Sequence, residues 1–215
     1  LPSTASGTEL RSKTIWEVAA DAGLRAAVVN WWATWPATTA GVNPPIVISD
    51  RAMLRLDRGG ELDGEIAPVE VYQKLRREWP AIRQEAAAAI ASLLPAASDR
   101  EAAAALSRAA EVDAMQVAIA SRLEPPPLDL LAIYLPGLDI AQHTLLGSGN
   151  PVSASALSAG LDALRGYYVY LDRLLAGIAA PGDRQLTFLI AQPGRIATIT
   201  HGLTTGARER CGASV

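Results

Sequence analysis

The segment Leu128–His143 constrains the fold of this chain more than any other stretch. Its apolar run Leu130–Leu135 predicts a buried strand, which a Pro-Gly pair ends. Asp139 and His143 follow, and side chains four residues apart on a helix point the same way. A carboxylate oxygen and an imidazole nitrogen so placed can bind one divalent metal, such as zinc. The alternative is a helix-start aspartate and a surface histidine.

The N-terminal third of the chain predicts a further helix and strand. Thr14-x-x-Glu17 is a capping box, Gly23 ends the helix, and Arg25–Asn30 predicts a buried strand. Ile46–Ile48 is a short candidate for an edge strand. Helices that alternate with strands predict an α/β fold with a mostly parallel sheet and helices on both faces. Such sheets bind ligands at the carboxyl ends of their strands, where Asp139 and His143 would lie.

Three tryptophans follow the first predicted strand. Trp31, Trp32 and Trp35 fall within the five positions before Pro36. Aromatic side chains at a strand's carboxyl end are typical of the wall of a substrate pocket. The alternative is a loop that packs over the edge of the sheet. Both interpretations stay open at the level of sequence.

Residues 80–123 are rich in alanine and predict a helical insertion, with helices at Gln84–Leu94 and Ser98–Arg122. Pro68 predicts the start of a shorter helix, and the charged stretch Arg51–Gly64 is expected to be exposed. We expect a single α/β domain over 1–215, with an N-terminal arm over 1–13 and a flexible tail over 202–215. The remaining predicted elements are a long helix from Ser153 or Ser155 to Gly177, whose leucines and Tyr168 form a core stripe, and strands at Leu186–Ile190 and Ile196–Thr200.

Composition excludes several classes of protein. Half of the residues are apolar, which predicts a globular chain, and the formal net charge of −3 argues against a general nucleic-acid binder. No apolar run reaches the length of a membrane span. The single cysteine, Cys211, excludes an internal disulfide framework.

Three blocks, in order, resemble the type I phosphodiesterase/nucleotide pyrophosphatase family of the alkaline phosphatase superfamily. The first runs from Thr14 through the tryptophan-rich turn to Ser49-Asp50-Arg51, and the second is the strand and Pro-Gly-x-Asp-x-x-x-His of Leu128–His143. The third is Tyr167–Leu175, with a Tyr-x-x-x-Asp pattern. The resemblance covers roughly 14 to 195. It implies an alkaline-phosphatase-like core, phosphodiester or pyrophosphate hydrolysis, a small phosphate ester as ligand, and a cell-envelope or extracellular location.

The chain departs from the family pattern at two places. The family's nucleophile and an upstream metal-binding aspartate normally precede the block that begins at Thr14, and no such unit lies in the residues before it. Gln192-Pro193 stand where the family has an Asp-His ligand pair. The resemblance therefore implies at most one partial site for zinc or another divalent metal, made by Asp139, His143 and, as a third ligand, His201. The alternative for His201 is a solvated histidine at a strand end.

We therefore expect no catalytic residue in this chain, which would be an inactive relative or a fragment of a hydrolase. The alternative function is a non-catalytic module. It would bind a ligand with Trp31, Trp32 and Trp35, or a protein with the alanine-rich helices. Tyr167 and Asp172 could reach a site, but the sequence favours a core or surface role for them. The oligomeric state is open.

Overall fold

A computed structural model describes residues 6–37, 43–96, 100–124, 126–146, 154–178 and 186–191. The chain divides into two compact units, each described by itself below. The first is Leu1–Ala89 with Val112–Leu135, and the second is Ile90–Glu111 with Pro136–Val215. Compact units need not fold independently, so the single domain predicted over 1–215 stays a prediction.

The described residues form an α/β structure with six α-helices and a four-stranded mixed sheet. The helices are α1 (Ile15–Asp21), α2 (Ala52–Arg58), α3 (Val69–Leu93), α4 (Arg100–Ala120), α5 (Gly137–Leu145) and α6 (Ala154–Ala176). The strands are β1 (Ala26–Val29), β2 (Ile46–Ile48), β3 (Ile66–Ala67) and β4 (Leu130–Ile133). This confirms the α/β class, while the alkaline-phosphatase-like core stays a proposal.

The sheet belongs to the first unit and has the strand order β3-β2-β1-β4. Strand β1 pairs in parallel with both β2 and β4, and β3 runs antiparallel to β2. The sheet is therefore mostly parallel, as predicted. Strand β2 was expected at an edge, but β3 pairs with its outer side. Two residues, Ile66 and Ala67, suffice to cover that side, and so short a strand carries no periodic signal in the sequence.

The core beside β1 follows directly from the sequence. The capping box forms, because the Thr14 hydroxyl accepts from the Glu17 N–H and the Glu17 carboxylate accepts from the Thr14 N–H. This start of α1 directs Trp16 onto Ala26, Val28 and Val47, with which it forms one apolar cluster. All four residues of β1 are buried, which explains its unbroken apolar sequence.

Helices α2 and α3 differ from the prediction. The stretch expected to be exposed contains α2, which buries Ala52 and Leu56. The helix after Pro68 continues through Pro80 to Leu93. Proline in a helix interior costs roughly 3 kcal/mol. Burial of Trp79 and other apolar side chains on both sides of Pro80 offsets that cost.

The alanines of α4 are largely buried: Ala102, Ala105, Ala109, Ala110, Ala114 and Ala118. These alanines therefore pack against other residues of the same chain. That residues 80–123, which hold the second half of α3 and nearly all of α4, are an insertion stays a prediction. Among the described residues, no helix is both long and apolar enough to cross a membrane.

Helix α6 lies in the second unit and buries only part of the predicted stripe: Leu164 is buried, but the largest fully buried side chains lie on another face. Tyr167 and Tyr170 are fully buried, with ring centroids 5.4 Å apart, and the Tyr170 hydroxyl donates to the carbonyl of Ala110. Leu161 and Tyr168, which were expected in the core, are about half exposed. The core role of Tyr167 is confirmed.

The run Leu186–Ile190 is irregular, and its apolar side chains are 76–82% exposed, so the predicted strand is wrong. None of the described strands pairs with it, and an apolar run forms a strand only beside another one. The strand predicted at Ile196–Thr200 and the tail over 202–215 lie outside the described residues. Within the predicted arm, residues 6–13 contain one 3-10 turn, Gly7–Glu9, and the Gly7 N–H donates to the Trp35 carbonyl.

Candidate functional site

The carboxyl ends of three parallel strands meet at one edge of the first unit's sheet. Strand β1 has β2 on one side and β4 on the other, so the chain connections diverge between β1 and β4. Such a switch point leaves a crevice outside the strand ends, where open α/β sheets bind ligands. The residues at this edge are Asn30 to Trp35 after β1, Ser49 to Arg51 after β2, and Tyr134 after β4.

Asn30 ties the strand ends together. Its backbone N–H donates to the Ile48 carbonyl of β2 over 2.8 Å, and its side-chain amide donates to the Tyr134 carbonyl over 3.1 Å. Its φ of 59° is left-handed, as is the φ of 56° at Ala33. Asparagine tolerates this region, whereas alanine is strained there by roughly 1–2 kcal/mol. A turn that retains such strain is typical of functional sites.

An aromatic cluster extends from the core to solvent at this edge. Trp16 contacts Trp31 edge-on at 5.8 Å between ring centroids, and Tyr134 contacts both Trp31 and Trp32 at 6.2 Å. Trp16 is 7% exposed and Trp32 is 63% exposed. Trp31 thus packs on the core, as the packing alternative predicts, while Trp32 faces solvent; the substrate-pocket interpretation stays a prediction.

Trp35, the third predicted tryptophan, has a different setting. Its indole N–H donates to the Asp63 carbonyl over 2.7 Å, and the Arg51 guanidinium lies 3.7 Å from the centre of its ring. The cation occupies the π face that a ligand would need. The structure therefore groups Trp31 and Trp32 with Tyr134 and gives Trp35 a contact with Arg51.

Asp50 adds a polar group to the same edge. The Thr34 hydroxyl donates to the Trp31 carbonyl over 2.6 Å and accepts from the Asp50 N–H over 3.3 Å. One carboxylate oxygen of Asp50, Oδ1, is buried and has no hydrogen-bond partner among the described residues. A buried carboxylate oxygen strongly favours a donor. Asp50 is therefore a candidate acceptor for a ligand.

A cavity of about 320 Å³ lies beside the tryptophan turn. Trp16 and Thr34 line it together with two cationic residues of the N-terminal arm, Arg11 and Lys13. The carboxylate of Asp21 accepts a hydrogen bond from the Lys13 ammonium and thereby raises the pKa of that lysine above its ordinary value. The cavity is within the size range of small-molecule sites, and its arm side carries positive charge at neutral pH.

Asp139 and His143 lie together on α5, as their spacing predicted. The His143 Nε2 is 3.5 Å from the Asp139 Oδ1, and the side chains are 36% and 67% exposed. Two ligands of one tetrahedral zinc ion lie about 3.3 Å apart, so this pair has the spacing of a half-site. Among the described residues, no group of three or more His, Cys, Asp or Glu side chains could hold a metal. His201, the predicted third ligand, lies outside the described residues, as do Gln192 and Pro193.

Sequence reasoning missed Asn30, Tyr134 and the free oxygen of Asp50 as members of the site. Asn30 carried one signal, since asparagine at a strand end is suited to a positive φ. Tyr134 is the last residue but one of the predicted strand, 104 positions from Asn30. No local pattern in the sequence links the two.

No protein-family model, curated protein or solved structure matches this chain. The family resemblance of its three sequence blocks therefore remains a proposal.

Proposed function

We propose that this chain is a catalytically silent relative, or a fragment, of the type I phosphodiesterase/nucleotide pyrophosphatase family. In this proposal it binds a small phosphate ester at the carboxyl edge of its sheet. The observation that carries the proposal is the exposed Trp32 indole, which contacts Tyr134 edge-on where the chain connections diverge between β1 and β4. Three sequence blocks in family order support the identity of the ligand.

The Trp32 indole is 63% exposed, so a planar group of a ligand can stack on it. Stacking of a base on an aromatic side chain contributes roughly 1–3 kcal/mol. Tyr134 holds the Trp32 ring by an edge contact, so little side-chain freedom is lost when a ligand binds.

The phosphate fits the cavity lined by Arg11 and Lys13. Glu17 also lines this cavity, but its carboxylate accepts from both the N–H and the hydroxyl of Thr14, over 2.7 and 2.8 Å. These bonds direct part of its charge to the start of α1. Arg11 then favours a phosphate, by an amount that falls as salt is added, whereas Lys13 contributes less because Asp21 already pairs with it.

Calorimetry tests the proposal with three probes: AMP, adenosine and inorganic phosphate. We expect AMP to bind best, adenosine to lose the cationic contribution, and phosphate to lose the stacking. Trp32→Ala should weaken AMP binding by about tenfold, which corresponds to about 1.4 kcal/mol of stacking energy. Leu54→Ala is the control, because Leu54 is 56% exposed on α2 in the same unit. Equal AMP binding by both variants, or no binding by the native chain, would refute the proposal.

Catalytic silence has its own test. The described residues ahead of Thr14, Ser6 to Lys13, contain a 3-10 turn and no strand that could present a nucleophile. We expect no turnover of a chromogenic phosphodiester with zinc or manganese present. Turnover that Asp139→Ala abolishes would show that the chain is an active hydrolase.

A weak metal site is a second candidate function, favoured by the 3.5 Å approach of Asp139 and His143. A bound zinc ion would polarise a phosphate oxygen, with Asp139 as the carboxylate ligand and His143 as the imidazole ligand. Two protein donors bind zinc weakly, and a third from His201 would strengthen binding markedly. Zinc calorimetry on the native chain, His143→Ala and His201→Ala separates these cases. The same affinity in all three would exclude a metal role for the pair.

A further inference from the structure

The outer face of α6 is apolar and exposed. Leu161, Tyr168 and Val169 are 46%, 54% and 42% exposed, whereas Tyr167 and Tyr170 on the opposite side are fully buried. An amphipathic helix of a globular unit normally presents charged residues on the face opposite its core. Three large apolar side chains there indicate a surface that associates with something.

Two opposite charges lie within this face. Arg165 and Asp172 are exposed, and with Leu161, Tyr168, Val169 and Ala176 they fall within an arc of about 100° around the helix axis. Arg165 pairs with Asp162 over 3.3 Å, but the side chains of that pair are 83% and 70% exposed. Such exposed pairs contribute little and exchange partners readily.

We propose that this outer face of α6 binds the same face of a second copy of the chain, with the two helices antiparallel. A twofold axis between Tyr168 and Val169 places each of these residues against the other in the second copy. The same axis places Arg165 against Asp172 of the second copy, and Leu161 against its Ala176. The apolar contacts and the opposite charges therefore match in one register, as a twofold interface requires.

The charges select this arrangement over the parallel one. In a parallel pair, Arg165 would face Arg165 of the second copy, and Asp172 would face Asp172. Both contacts would bring like charges together and be repulsive. In the antiparallel pair, both contacts are attractive and occur twice. One helix face from each chain makes a small interface, so association should be weak and depend on protein concentration.

Analytical ultracentrifugation of the full chain over a concentration series tests this inference by charge exchange. We expect reversible dimers in the native chain and about tenfold weaker association in either Arg165→Glu or Asp172→Arg. The double variant Arg165→Glu/Asp172→Arg should restore association to the native level, because the opposite charges then face each other in reverse. Arg108→Glu makes the same charge change at an exposed position on α4 and should leave association unchanged.

Two results would overturn the proposal. One is a native chain that stays monomeric at every concentration, which would mean that this face meets something other than a second copy. The other is a double variant that associates as weakly as the single variants. The rescue distinguishes lost pairing from lost folding, because a variant that only destabilised α6 would not recover when a second substitution is added.

Discussion

Replacement of Asn30 tests whether the tryptophan turn depends on its left-handed backbone. Asn30 has a φ of 59°, and its side-chain amide donates to the Tyr134 carbonyl over 3.1 Å. Asn30→Ala removes this hydrogen bond and places a residue that is strained at positive φ. Asn30→Gly removes the same bond but suits the backbone.

The two substitutions should differ in magnitude. Loss of the hydrogen bond costs each variant about 1 kcal/mol. Alanine adds about 1–2 kcal/mol of backbone strain, so Asn30→Ala should destabilise the chain by about 2–3 kcal/mol. Glycine avoids the strain, but its greater freedom in the unfolded chain costs up to about 1 kcal/mol, so Asn30→Gly should lose about 1–2 kcal/mol.

Urea unfolding followed by tryptophan fluorescence measures both values, because Trp16, Trp31 and Trp32 lie next to this turn. The slope against urea should be the same in all variants, which makes the midpoints comparable. Variants that are equally stable would refute the argument from backbone strain. A native-like Asn30→Gly would refute the contribution of the bond to Tyr134.

Further predictions concern an ion pair and a close helix contact. Burial raises the pKa of Glu65, but hydrogen bonds from Arg55 and from the Asp63 N–H lower it by a larger amount. The pKa of Glu65 therefore lies below the ordinary 4.5. This contribution to stability is present above pH 4.5 and is lost as the pH falls through the lowered pKa. Arg55→Ala should therefore destabilise the chain at pH 7 and much less near pH 3, as urea unfolding at the two pH values would show; a loss of stability independent of pH would contradict the assignment. Gly160→Ala should lower the melting temperature, because the added Cβ would lie 2.8 Å from the Leu145 carbonyl oxygen; Gly166→Ala, with its nearest neighbour at 3.7 Å, should not lower it.

Local signals predicted much of the fold. The capping box at Thr14, the apolar runs of β1 and β4, and the four-residue step from Asp139 to His143 each depend on residues close in sequence. Such patterns determine hydrogen bonds and side-chain directions within one element. They therefore survive in the folded chain, although β4 is only partly buried and not buried as predicted, because it lies at the edge of the described sheet.

The buried face of α6 could not be predicted in this way. Leucines and tyrosines occur on nearly every side of that helix, so helical spacing alone allows either the Leu161–Tyr168 face or the Tyr167–Tyr170 face to be the core. In the structure the Tyr167–Tyr170 face is buried, and the Tyr170 hydroxyl donates to the carbonyl of Ala110. That partner is 60 positions away and leaves no trace in the local pattern.

The candidate site was predictable in its aromatic composition but not in its arrangement. The sequence places Trp31 and Trp32 at a strand end, yet it is the strand order that brings Tyr134 beside them. The sequence alone predicts the same role for Trp35 as for Trp31 and Trp32. Only the approach of Arg51 from the end of β2 sets it apart.

The most direct test of ligand binding at the aromatic edge is an NMR titration of the five indole N–H signals with AMP. Trp32→Phe identifies the Trp32 signal by its disappearance. We expect this signal to shift most, while the signal of Trp79, which is 5% exposed in the core, stays in place. No shift of the Trp32 signal at millimolar AMP, or equal shifts of Trp32 and Trp79, would contradict ligand binding at this edge.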